Sequence, residues 1–450
     1  MKSKGNTTRL LAFKILNRVL LEGAYPDLVL KSTFNKNPDL TSVDKALLTE
    51  LVYGVIRWLV KLDYIIGVFA ERRVNKKEIL NILRIGIYQL LFLSGIPDYA
   101  AIFETVDIAK GIYGERVARF VNAILREFSR KKENIRYPAR ESSPMSYISV
   151  NYSFPPWLVK KWMDVFGMDY TEGLCHSLNQ IPLLTGRVNT LKTTREDLIR
   201  KMRDRNIEVV RTKYSPTGIS FFTDLNPAEI PEFRSGLFTV QDEGAQLISH
   251  LLDPEPGEKI LDACSSPGGK STHIAEITGN RGEIIACDVN PSRLKLVESQ
   301  SRRLGVEIIK TICADASSER FLEKERFDKI LVDAPCSGLG TIRRNPDAKW
   351  KKAWSDILEL SEIQFRILSE TSVRLKVNGI IVYAVCTLMP EENEVVIQRF
   401  LSVHPEFKID LEIESTSPIK AFLDKDGFFI SDPVRHNMDG FFAVRLRKTK

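Results

Sequence analysis

Apolar residues recur every three or four positions through residues 1–138. Leu10, Phe13 and Leu16 form one such stripe, and the same spacing returns in several later segments. This period places apolar side chains on one face of an α-helix, where they can be buried together. Asn37-Pro38 interrupts the pattern and predicts a connection between helices. The pattern therefore predicts an all-helical bundle over residues 1–138.

The pattern changes after a polar, proline-bearing stretch from Lys131 to Pro144. Beyond it, short segments alternate between strand-like and helix-like character, with ordinary element lengths. These segments are a helix opened by Pro155-Pro156, a strand at Leu183–Val188, a helix near Arg195–Arg203 and a β-rich run at Val209–Phe222. We therefore predict a small α+β module over residues 139–235, which we interpret as a linking or RNA-recognition domain.

Five apolar runs with helical patterns between them follow in the last part of the chain. They are Lys259–Leu261, Glu283–Cys287, Val306–Cys313, Lys329–Val332 and Gly379–Val385. Strands and helices that alternate at this interval indicate βαβ units and a parallel sheet. The alternation in Gly440–Leu446 predicts an added antiparallel strand. Residues 236–450 are thus predicted to form a doubly wound, Rossmann-like α/β domain, which makes the protein multidomain.

The positive charge of the chain is concentrated in its first third. The formal net charge is +7, and residues 1–140 alone hold 24 Lys and Arg against 14 Asp and Glu. Such a region favours a polyanion such as RNA as partner, although a merely solvated basic surface explains the excess equally well. Candidate RNA contacts in this region are Arg72, Arg73, Lys76, Lys77, Arg116 and Arg119, although for each residue taken singly the commoner role is to solvate a helix exterior.

Six cysteines are spread along the chain without a CxxC pair or a histidine-rich spacing. This pattern favours neither a disulfide framework nor a structural zinc site, and it suits a reducing compartment. No uninterrupted apolar stretch approaches the roughly 20 residues that a membrane-spanning helix needs. We therefore expect a cytoplasmic protein that binds no metal and no membrane.

A turn rich in small residues, Asp262–Lys270, follows the first predicted strand of the α/β domain. Small residues let a ligand approach the backbone closely. The turn matches neither GxGxxG nor GxxxxGK[ST], so neither a dinucleotide nor a P-loop nucleotide is supported. Asp288 ends the next strand, 19 residues after Gly269, where an acid can accept both ribose hydroxyls of an adenosine. Asp315, after the third strand, is placed to contact the adenine edge.

Acids at three successive strand ends favour an adenosyl cofactor that carries no phosphates. S-adenosylmethionine fits that description. The alternative for each acid taken alone is that it caps the helix that follows, as strand-end aspartates often do.

Two predicted strands of the α/β domain end close to a thiol. Asp333-Ala334-Pro335-Cys336 follows one of them and Cys386-Thr387 follows the other. In an open α/β sheet, chemistry takes place in the crevice beyond the carboxyl ends of the strands, so we expect a catalytic site there. A free cysteine is usually buried and inert, and we keep that interpretation for Cys175, Cys264, Cys287 and Cys313.

Three segments resemble the motifs of the RNA cytosine-5 methyltransferases. They are Asp262–Lys270 with its Pro-Gly-Gly-Lys, Asp333–Gly338, and Tyr383–Asn393 with its Pro-Glu-Glu-Asn end. The helical region resembles the NusB-type RNA-binding domain, and the combination is similar to the bacterial small-subunit rRNA methyltransferases of this family. The resemblance covers essentially the whole chain, with Val385 standing where the family usually has Thr. It implies a NusB-like bundle, a class I methyltransferase domain and methylation of 16S rRNA.

The resemblance implies separate catalytic roles for the two thiols. Cys386 would add to C6 of cytosine, because C5 is too weak a nucleophile to take a methyl group unaided. Cys336 would assist release of the covalent adduct. Asp333 would hydrogen-bond the cytosine near N3, and Lys270 would support Asp333 or the thiolate electrostatically.

The implied cofactor is S-adenosylmethionine, and its contacts lie at the ends of the first four strands of the α/β domain. They are Asp262, Ala263, Cys264, Ser265, Pro267, Gly268, Gly269, Lys270, Asp288, Arg293, Asp315 and Asp333. The expected partner is 16S rRNA, naked or early in assembly, bound by a monomer.

Two further groups of polar residues are candidates for RNA contact. Arg187, Asn189 and Lys192 lie in the α+β module, and Arg343, Arg344 and Lys349 follow Cys336. We expect the second group on a loop that faces the substrate. There it could bind phosphate beside the target base, which an enzyme must take out of its stack.

Two rival functions are weighed against this interpretation. A DNA cytosine-5 methyltransferase also uses a Pro-Cys motif, but the motif at Cys386 and the helical RNA-type region argue against it. An RNA-binding assembly factor with an inactive methyltransferase fold is the second rival. The presence of Cys386, Cys336, Asp333 and Asp288 argues against that alternative, because loss of any of them would have favoured it.

Overall fold

The computed structural model describes residues 4–70, 72–222, 226–414 and 416–450. The chain forms two compact units, residues 1–179 with 345–351, and residues 180–344 with 352–450. The predicted domain ranges 1–138, 139–235 and 236–450 follow a different division and stay predictions. Among the described residues, no helix is long and apolar enough to cross a membrane.

The α-helices are α1 (Lys4–Glu22), α2 (Pro26–Lys36), α3 (Ser42–Arg57), α4 (Leu59–Phe69), α5 (Lys77–Phe92), α6 (Asp98–Tyr113), α7 (Glu115–Lys131), α8 (Pro144–Tyr152), α9 (Pro156–Phe166), α10 (Met168–Asn179), α11 (Arg195–Asp204), α12 (Pro231–Arg234), α13 (Glu243–Leu252), α14 (Gly269–Ile277), α15 (Pro291–Leu304), α16 (Ala348–Lys351), α17 (Trp354–Ser372) and α18 (Glu394–Val403). The strands are β1 (Leu184–Val188), β2 (Val209–Arg211), β3 (Gly218–Phe221), β4 (Phe238–Val240), β5 (Lys259–Asp262), β6 (Glu283–Asp288), β7 (Ile309–Cys313), β8 (Phe327–Asp333), β9 (Leu375–Val385), β10 (Phe407–Ile409), β11 (Phe428–Ser431) and β12 (Phe441–Lys448).

The first unit is the predicted helical bundle, with α5 buried over residues 81–90. Burial on all sides forces polar groups of this helix to find partners inside the protein. Arg84 does so by donating to both carboxylate oxygens of Asp63, each at 2.7 Å. At the surface, α3 begins with a capping box in which Thr41 and Asp44 each accept the other's backbone N–H, which fixes where the helix starts.

A short segment from later in the chain, Asn345–Lys351, also belongs to the first unit. Its Trp350 indole donates to the Ile56 carbonyl at 2.7 Å, and its Lys349 ammonium donates to the Arg57 carbonyl at 2.9 Å. Lys349 is fully buried, and that burial holds the pKa of its ammonium well below the usual range. The expectation that Lys349 contacts RNA phosphate is therefore wrong, because this ammonium is closed off from solvent.

A small antiparallel sheet opens the second unit, in the strand order β2-β3-β1-β4. Leu198 and Met202 of α11 pack in one core with Val188, Ile219 and Phe238 of the sheet. The apolar positions of α11 lie four residues apart and those of the strands alternate, so both elements bury one face against the other. The predicted strand and helix in this region are confirmed.

The large sheet of the second unit has the order β10-β12-β9-β8-β5-β6-β7, with β11 paired to β12. Strands β5 to β9 pair in parallel, and β12 pairs antiparallel with β9, as predicted for the C-terminal strand. Successive residues of a strand pack into hydrophobic cores on opposite faces of the sheet. Leu261 lies in one core and Ile260 in the other. Burial on both faces explains the continuous apolar runs in the sequence. The predicted fold class is confirmed.

One predicted strand is shorter than the sequence indicates. β7 begins at Ile309 rather than at Val306. The residues just before β7 form the end of α15 instead. Gly305 takes a left-handed conformation with φ +75°, and the Val306 N–H donates to the Ser301 carbonyl at 2.9 Å. This helix-ending turn takes Val306 out of the sheet, although its side chain is apolar and buried.

Candidate active site

The predicted site residues collect along one edge of the large sheet. Because β5, β6, β7, β8 and β9 are parallel, their carboxyl ends lie at the same edge. Asp262, Asp288 and Asp333 are the last residues of β5, β6 and β8, and Cys386 follows β9 directly. The strand order reverses between β8 and β5, which is where a crevice for ligands opens in such sheets.

The turn after β5 has the features of a ligand cradle. Gly268 has φ +102°, a left-handed conformation that glycine adopts without strain, and a Cβ there would come within 3.1 Å of the Val297 Cα atom. The hydroxyls of Ser265 and Ser266 are buried without a hydrogen-bond partner among the described residues. A buried hydroxyl without a partner is costly, so these two are suited to a polar ligand.

Asp262 lies beneath this turn and is fully buried. Its carboxylate accepts a hydrogen bond from the Ser271 hydroxyl at 2.5 Å. Burial raises the pKa of Asp262 to about 7, and the bond from Ser271 opposes that rise. The side chain therefore ties β5 to the first turn of α14, and its assignment as a cofactor contact stays a prediction.

Asp288 at the end of β6 is nearly buried, at 6% exposure. One of its oxygens accepts from the Asn290 N–H at 2.8 Å, and the other lies 3.8 Å from the Arg293 guanidinium. Arg293 also donates to the Ser266 carbonyl at 3.2 Å. These contacts bring Asp288 and Arg293 to the turn after β5, where both are predicted cofactor contacts.

Asp315 lies beyond the end of β7 and is exposed. It accepts from the Ser317 hydroxyl at 2.7 Å and from the Ser317 N–H at 2.9 Å. These hydrogen bonds from Ser317 lower the pKa of Asp315. An ionised acid is thus held at the third strand end, and its contact with an adenine remains a prediction.

The sulfur atoms of the two strand-end cysteines are in contact. The Sγ atoms of Cys336 and Cys386 are 3.2 Å apart, and the Cys386 N–H donates to the Cys336 sulfur at 3.3 Å. The hydrogen bond with Cys386 and burial raise the pKa of the Cys336 thiol well above its usual range. The distance between the two sulfurs allows an S–H···S hydrogen bond in which either thiol can be the donor.

Lys270, at the start of α14, reaches the same site. Its ammonium is 2.6 Å from Asp333 Oδ2, and the two side chains are 11% and 29% exposed. Burial acts to lower the pKa of Lys270, but Asp333 more than offsets it, so the pKa is raised overall. A fixed positive charge therefore neutralises Asp333 beside the thiols.

Two of the three predicted RNA contacts in the α+β region are buried inside the protein. Arg187 is fully buried and pairs with the Glu276 carboxylate at 2.8 Å, and it donates to the Gly269 carbonyl at 2.6 Å. Asn189 is buried, and Lys192 donates to backbone carbonyls at Ser235 and Arg303. The RNA interpretation is wrong for Arg187 and Asn189, because both are buried. Lys192 is exposed, and its contact with RNA stays a prediction.

Arg343 and Arg344 are also not free to bind RNA phosphate as expected. Arg343 is 3% exposed. Arg344 forms ion pairs with Asp242 at 2.8 Å and with Asp439 at 3.0 Å. The two partners of Arg344 lie about 100 residues away along the chain, so no local pattern in the sequence predicts these ion pairs.

Two of the four cysteines expected to be buried are not fully so. Cys175 and Cys287 are buried and Cys264 is half-buried, but Cys313 is exposed at the end of β7. Strand ends leave the sheet at its edge, so the last residue of an outer strand loses cover from its neighbours.

Sequence reasoning assigned no role to Glu392 and overlooked the part that Arg187 plays. Glu392 lies in the Pro-Glu-Glu-Asn segment and binds the residues that follow both cysteines, Ser337 and Thr387. Arg187 binds the backbone of the turn after β5, at Gly269. Both Glu392 and Arg187 are charged residues inside an apolar or motif-bearing stretch, and that feature of the sequence could have predicted a role for each of them.

Comparison with known proteins extends over the whole chain. The family model for "16S rRNA methyltransferase RsmB/F" matches residues 249–447, "NusB family" matches 6–130, and "Methyltr_RsmF/B-like, ferredoxin-like domain" matches 154–225. The chain is 37% identical to the "Probable ribosomal RNA small subunit methyltransferase B" of Bacillus subtilis (strain 168), with 99% of each covered.

Two solved structures show the same fold. The crystal structure of PH0851 superposes with a TM-score of 0.81 and 27% identity, over 98% of this chain and 99% of that one. NSun6 from Pyrococcus horikoshii, solved with SFG, gives a TM-score of 0.59 and 24% identity, over 66% of this chain and 99% of that one. The prediction of S-adenosylmethionine as the cofactor is confirmed at the level of the methyltransferase family that the model over residues 249–447 describes.

Proposed function

We propose that this chain, which belongs to the ribosomal RNA small subunit methyltransferase B family, methylates C5 of a cytosine in 16S rRNA through a covalent cysteine adduct. The observation that carries the proposal is the thiol pair, with 3.2 Å between the sulfurs of Cys336 and Cys386. An enzyme that only binds a base or transfers a methyl group to nitrogen or oxygen has no need of two thiols in one site.

Cys386 is the nucleophile in this proposal. Its sulfur attacks C6 of the cytosine, a C–S bond forms, and the electrons of the C5–C6 double bond move towards N3. The Asp333 carboxylate accepts a hydrogen bond from the cytosine edge beside N3, and the Lys270 ammonium, 2.6 Å from Asp333, stabilises the negative charge that develops at N3. The assignment rests on the resemblance of the segment Tyr383–Asn393 to the family's motif, and the 3.2 Å contact between the sulfurs keeps Cys336 beside the proposed nucleophile.

Cys336 acts after C5 has received the methyl group. Once Cys386 is a thioether, the hydrogen bond with Cys386 no longer raises the pKa of Cys336, although burial still does. In this proposal Cys336 passes its proton to water before it acts as the base. Its thiolate then takes the C5 proton, the C–H electron pair restores the C5–C6 double bond, and the C6–S bond breaks. Cys386 leaves as a thiolate, ready for the next cytosine.

S-adenosylmethionine supplies the electrophilic methyl group when it is bound. The residues that fit it are the glycine turn at Gly268, the unpartnered hydroxyls of Ser265 and Ser266, and the acid at Asp288. Asp288 would bind the ribose hydroxyls, and the Arg293 guanidinium lies 3.8 Å from its carboxylate.

Asp288→Ala is expected to weaken S-adenosylmethionine binding by about 1.5–3 kcal/mol, the scale of a lost hydrogen bond to a charged group. Isothermal titration calorimetry on the full chain measures this change. Asp426→Ala, which removes an exposed acid from the same unit, is the control and should bind as the unmodified protein does. Equal affinity in both variants would take Asp288 out of the cofactor site.

RNA binding is expected to involve four exposed basic residues just before and at the start of α5. Arg72, Arg73, Lys76 and Lys77 are exposed, and such side chains neutralise phosphates and release counterions. The first compact unit extends to residue 179, so a truncation near residue 140 would cut through it. Substitution in the full chain is therefore the sounder test.

Replacing all four of these residues by alanine should flatten the dependence of log K on log[salt] for binding to a 16S rRNA fragment. The slope is expected to fall by about 0.7 for each single-strand phosphate that the variant no longer neutralises. A matched variant replaces four exposed basic residues of the second unit, Arg320, Lys324, Lys408 and Lys425. An unchanged slope in the first variant would show that these four residues do not bind the RNA.

The proposed reaction is tested by methyl transfer from labelled S-adenosylmethionine to protein-free 16S rRNA and to early assembly particles. Nucleoside analysis of the product should show 5-methylcytidine. A label on another nucleoside would refute the cytosine C5 assignment, and a label on DNA alone would favour the DNA-enzyme rival.

We expect the active species to be a monomer in the cytoplasm.

A further inference from the structure

One buried carboxylate joins the two cysteine-bearing turns. Glu392 is 0% exposed. Its Oε1 accepts from the Ser337 N–H at 2.8 Å and from the Gln364 amide at 2.9 Å. Its Oε2 accepts from the Ser337 hydroxyl at 2.5 Å and from the Thr387 hydroxyl at 3.1 Å. All four contacts lie at hydrogen-bond distance, and they reach the residue after each cysteine.

These contacts hold the Cys336 turn from both sides. Ser337 follows Cys336 and supplies two of the four hydrogen bonds to Glu392. Gln364, a third partner of Glu392, also donates to the carbonyl of Pro335 at 3.0 Å, immediately before Cys336. Without Glu392, the buried Ser337 N–H would lose its acceptor, which is costly enough to shift the turn.

Cys386 depends on Glu392 much less. It follows β9, which pairs with β8 on one side and with β12 on the other. Its carbonyl accepts from the Gly340 N–H at 2.9 Å. The sheet therefore fixes the position of Cys386, whereas Cys336 lies three residues beyond the end of β8 in a turn that needs another anchor.

We propose that Glu392 is a positioning residue that keeps the Cys336 sulfur in reach of the adduct formed on Cys386. This inference rests on the proposed function. Glu392 touches neither sulfur in this role, and it acts through Ser337 and Gln364. Its loss should leave addition of Cys386 to the cytosine largely intact and slow the removal of the C5 proton, because proton transfer depends steeply on geometry.

Two substitutions of Glu392 distinguish a role in positioning Cys336 from a role that needs the charge of the carboxylate. Glu392→Ala removes all four hydrogen bonds. Glu392→Gln keeps an oxygen for the Ser337 N–H and the Gln364 amide, and its NH₂ group can donate to the Ser337 and Thr387 hydroxyls, which can turn to accept. A positioning role therefore predicts that Glu392→Gln restores release, whereas a role as proton carrier predicts that it does not.

The measurement is a single-turnover assay on the full chain with labelled S-adenosylmethionine and a 16S rRNA fragment. Free methylated RNA and covalent protein–RNA adduct are quantified together on a denaturing gel. Glu392→Ala should form adduct and release it on the order of 10²-fold more slowly than the unmodified protein. Glu394→Ala, which removes a carboxylate from the first turn of α18, is the matched control.

A second variant guards against general destabilisation. Ser337→Ala removes the Ser337 hydroxyl but keeps its N–H bond to Glu392, so it should give a smaller accumulation of adduct in a folded protein. S-adenosylmethionine affinity should be unchanged in both variants, which shows that the fold is intact.

The outcomes distinguish this inference from the proposed function. If Cys336→Ala accumulates adduct but Glu392→Ala and Ser337→Ala release product normally, the inference about Glu392 is overturned and the proposed function stands. If Glu392→Gln accumulates as much adduct as Glu392→Ala, the charge of Glu392 matters and a positioning role is wrong. If neither Cys336→Ala nor Glu392→Ala forms any adduct, the proposed covalent mechanism itself fails.

Discussion

Cys386→Ala is expected to abolish methyl transfer to 16S rRNA and to leave no covalent protein–RNA species. Without a nucleophile at C6, C5 of the cytosine stays too electron-poor to accept a methyl group. The rate should fall by at least about 10⁴-fold, the scale seen when a covalent nucleophile is removed. The measurement is labelled methyl incorporation, with a denaturing gel run in parallel.

The control for this prediction is Cys313→Ala. Cys313 is the last residue of β7 in the same sheet and is exposed. Its removal therefore tests whether loss of any thiol at this edge of the sheet lowers the rate of methyl transfer. At saturating S-adenosylmethionine it should methylate at the unmodified rate. Binding of S-adenosylmethionine should be retained by Cys386→Ala, which confirms that the loss is chemical and not a failure to fold.

Cys336→Ala is expected to give the opposite pattern. The nucleophile remains, so addition and methylation of the cytosine proceed, but the group that takes the C5 proton is gone. A methylated adduct should accumulate to nearly one RNA per protein in a single turnover, while release slows by about 10²–10⁴-fold, the usual contribution of a general base.

This adduct should run as a slow band on a denaturing gel. It should require S-adenosylmethionine, carry the labelled methyl group and disappear on RNase treatment. If Cys336→Ala formed no adduct while Cys386→Ala still methylated RNA, the two role assignments would be reversed.

The sequence predicts those parts of the fold that depend on local periodicity. The apolar runs of β5 to β9 are continuous because both faces of a parallel sheet are buried, and their spacing is enough to place Asp262, Asp288, Asp333 and Cys386 at strand ends. The meeting of the thiols follows from the same rule, because Cys336 and Cys386 come after adjacent parallel strands.

The errors concern charged residues whose partners are distant in the chain. Arg344 pairs with Asp242 and Asp439, and Arg187 pairs with Glu276. An arginine that binds RNA and an arginine that closes a buried ion pair have the same local sequence signal. Only the tertiary structure tells which carboxylate it meets.

Glu392 shows the same limit within a motif that the sequence does reveal. The Pro-Glu-Glu-Asn segment resembles a family motif, yet nothing local shows that Glu392 bonds Ser337, 55 residues earlier in the chain. The strand that carries Cys386 and the turn that carries Cys336 must first fold side by side. The part of the candidate site made by strand ends could thus be predicted, and the part made by contacts between turns could not.

The proposed mechanism depends above all on Cys386 forming the bond to cytosine and on Cys336 releasing it. The most direct test is peptide mapping by mass spectrometry of the adduct that Cys336→Ala forms with a 16S rRNA fragment and S-adenosylmethionine. After RNase and protease digestion, we expect a 5-methylated cytidine nucleotide attached to the peptide that contains Cys386. A nucleotide attached to any other residue, or an attached cytidine that carries no methyl group, would contradict the mechanism.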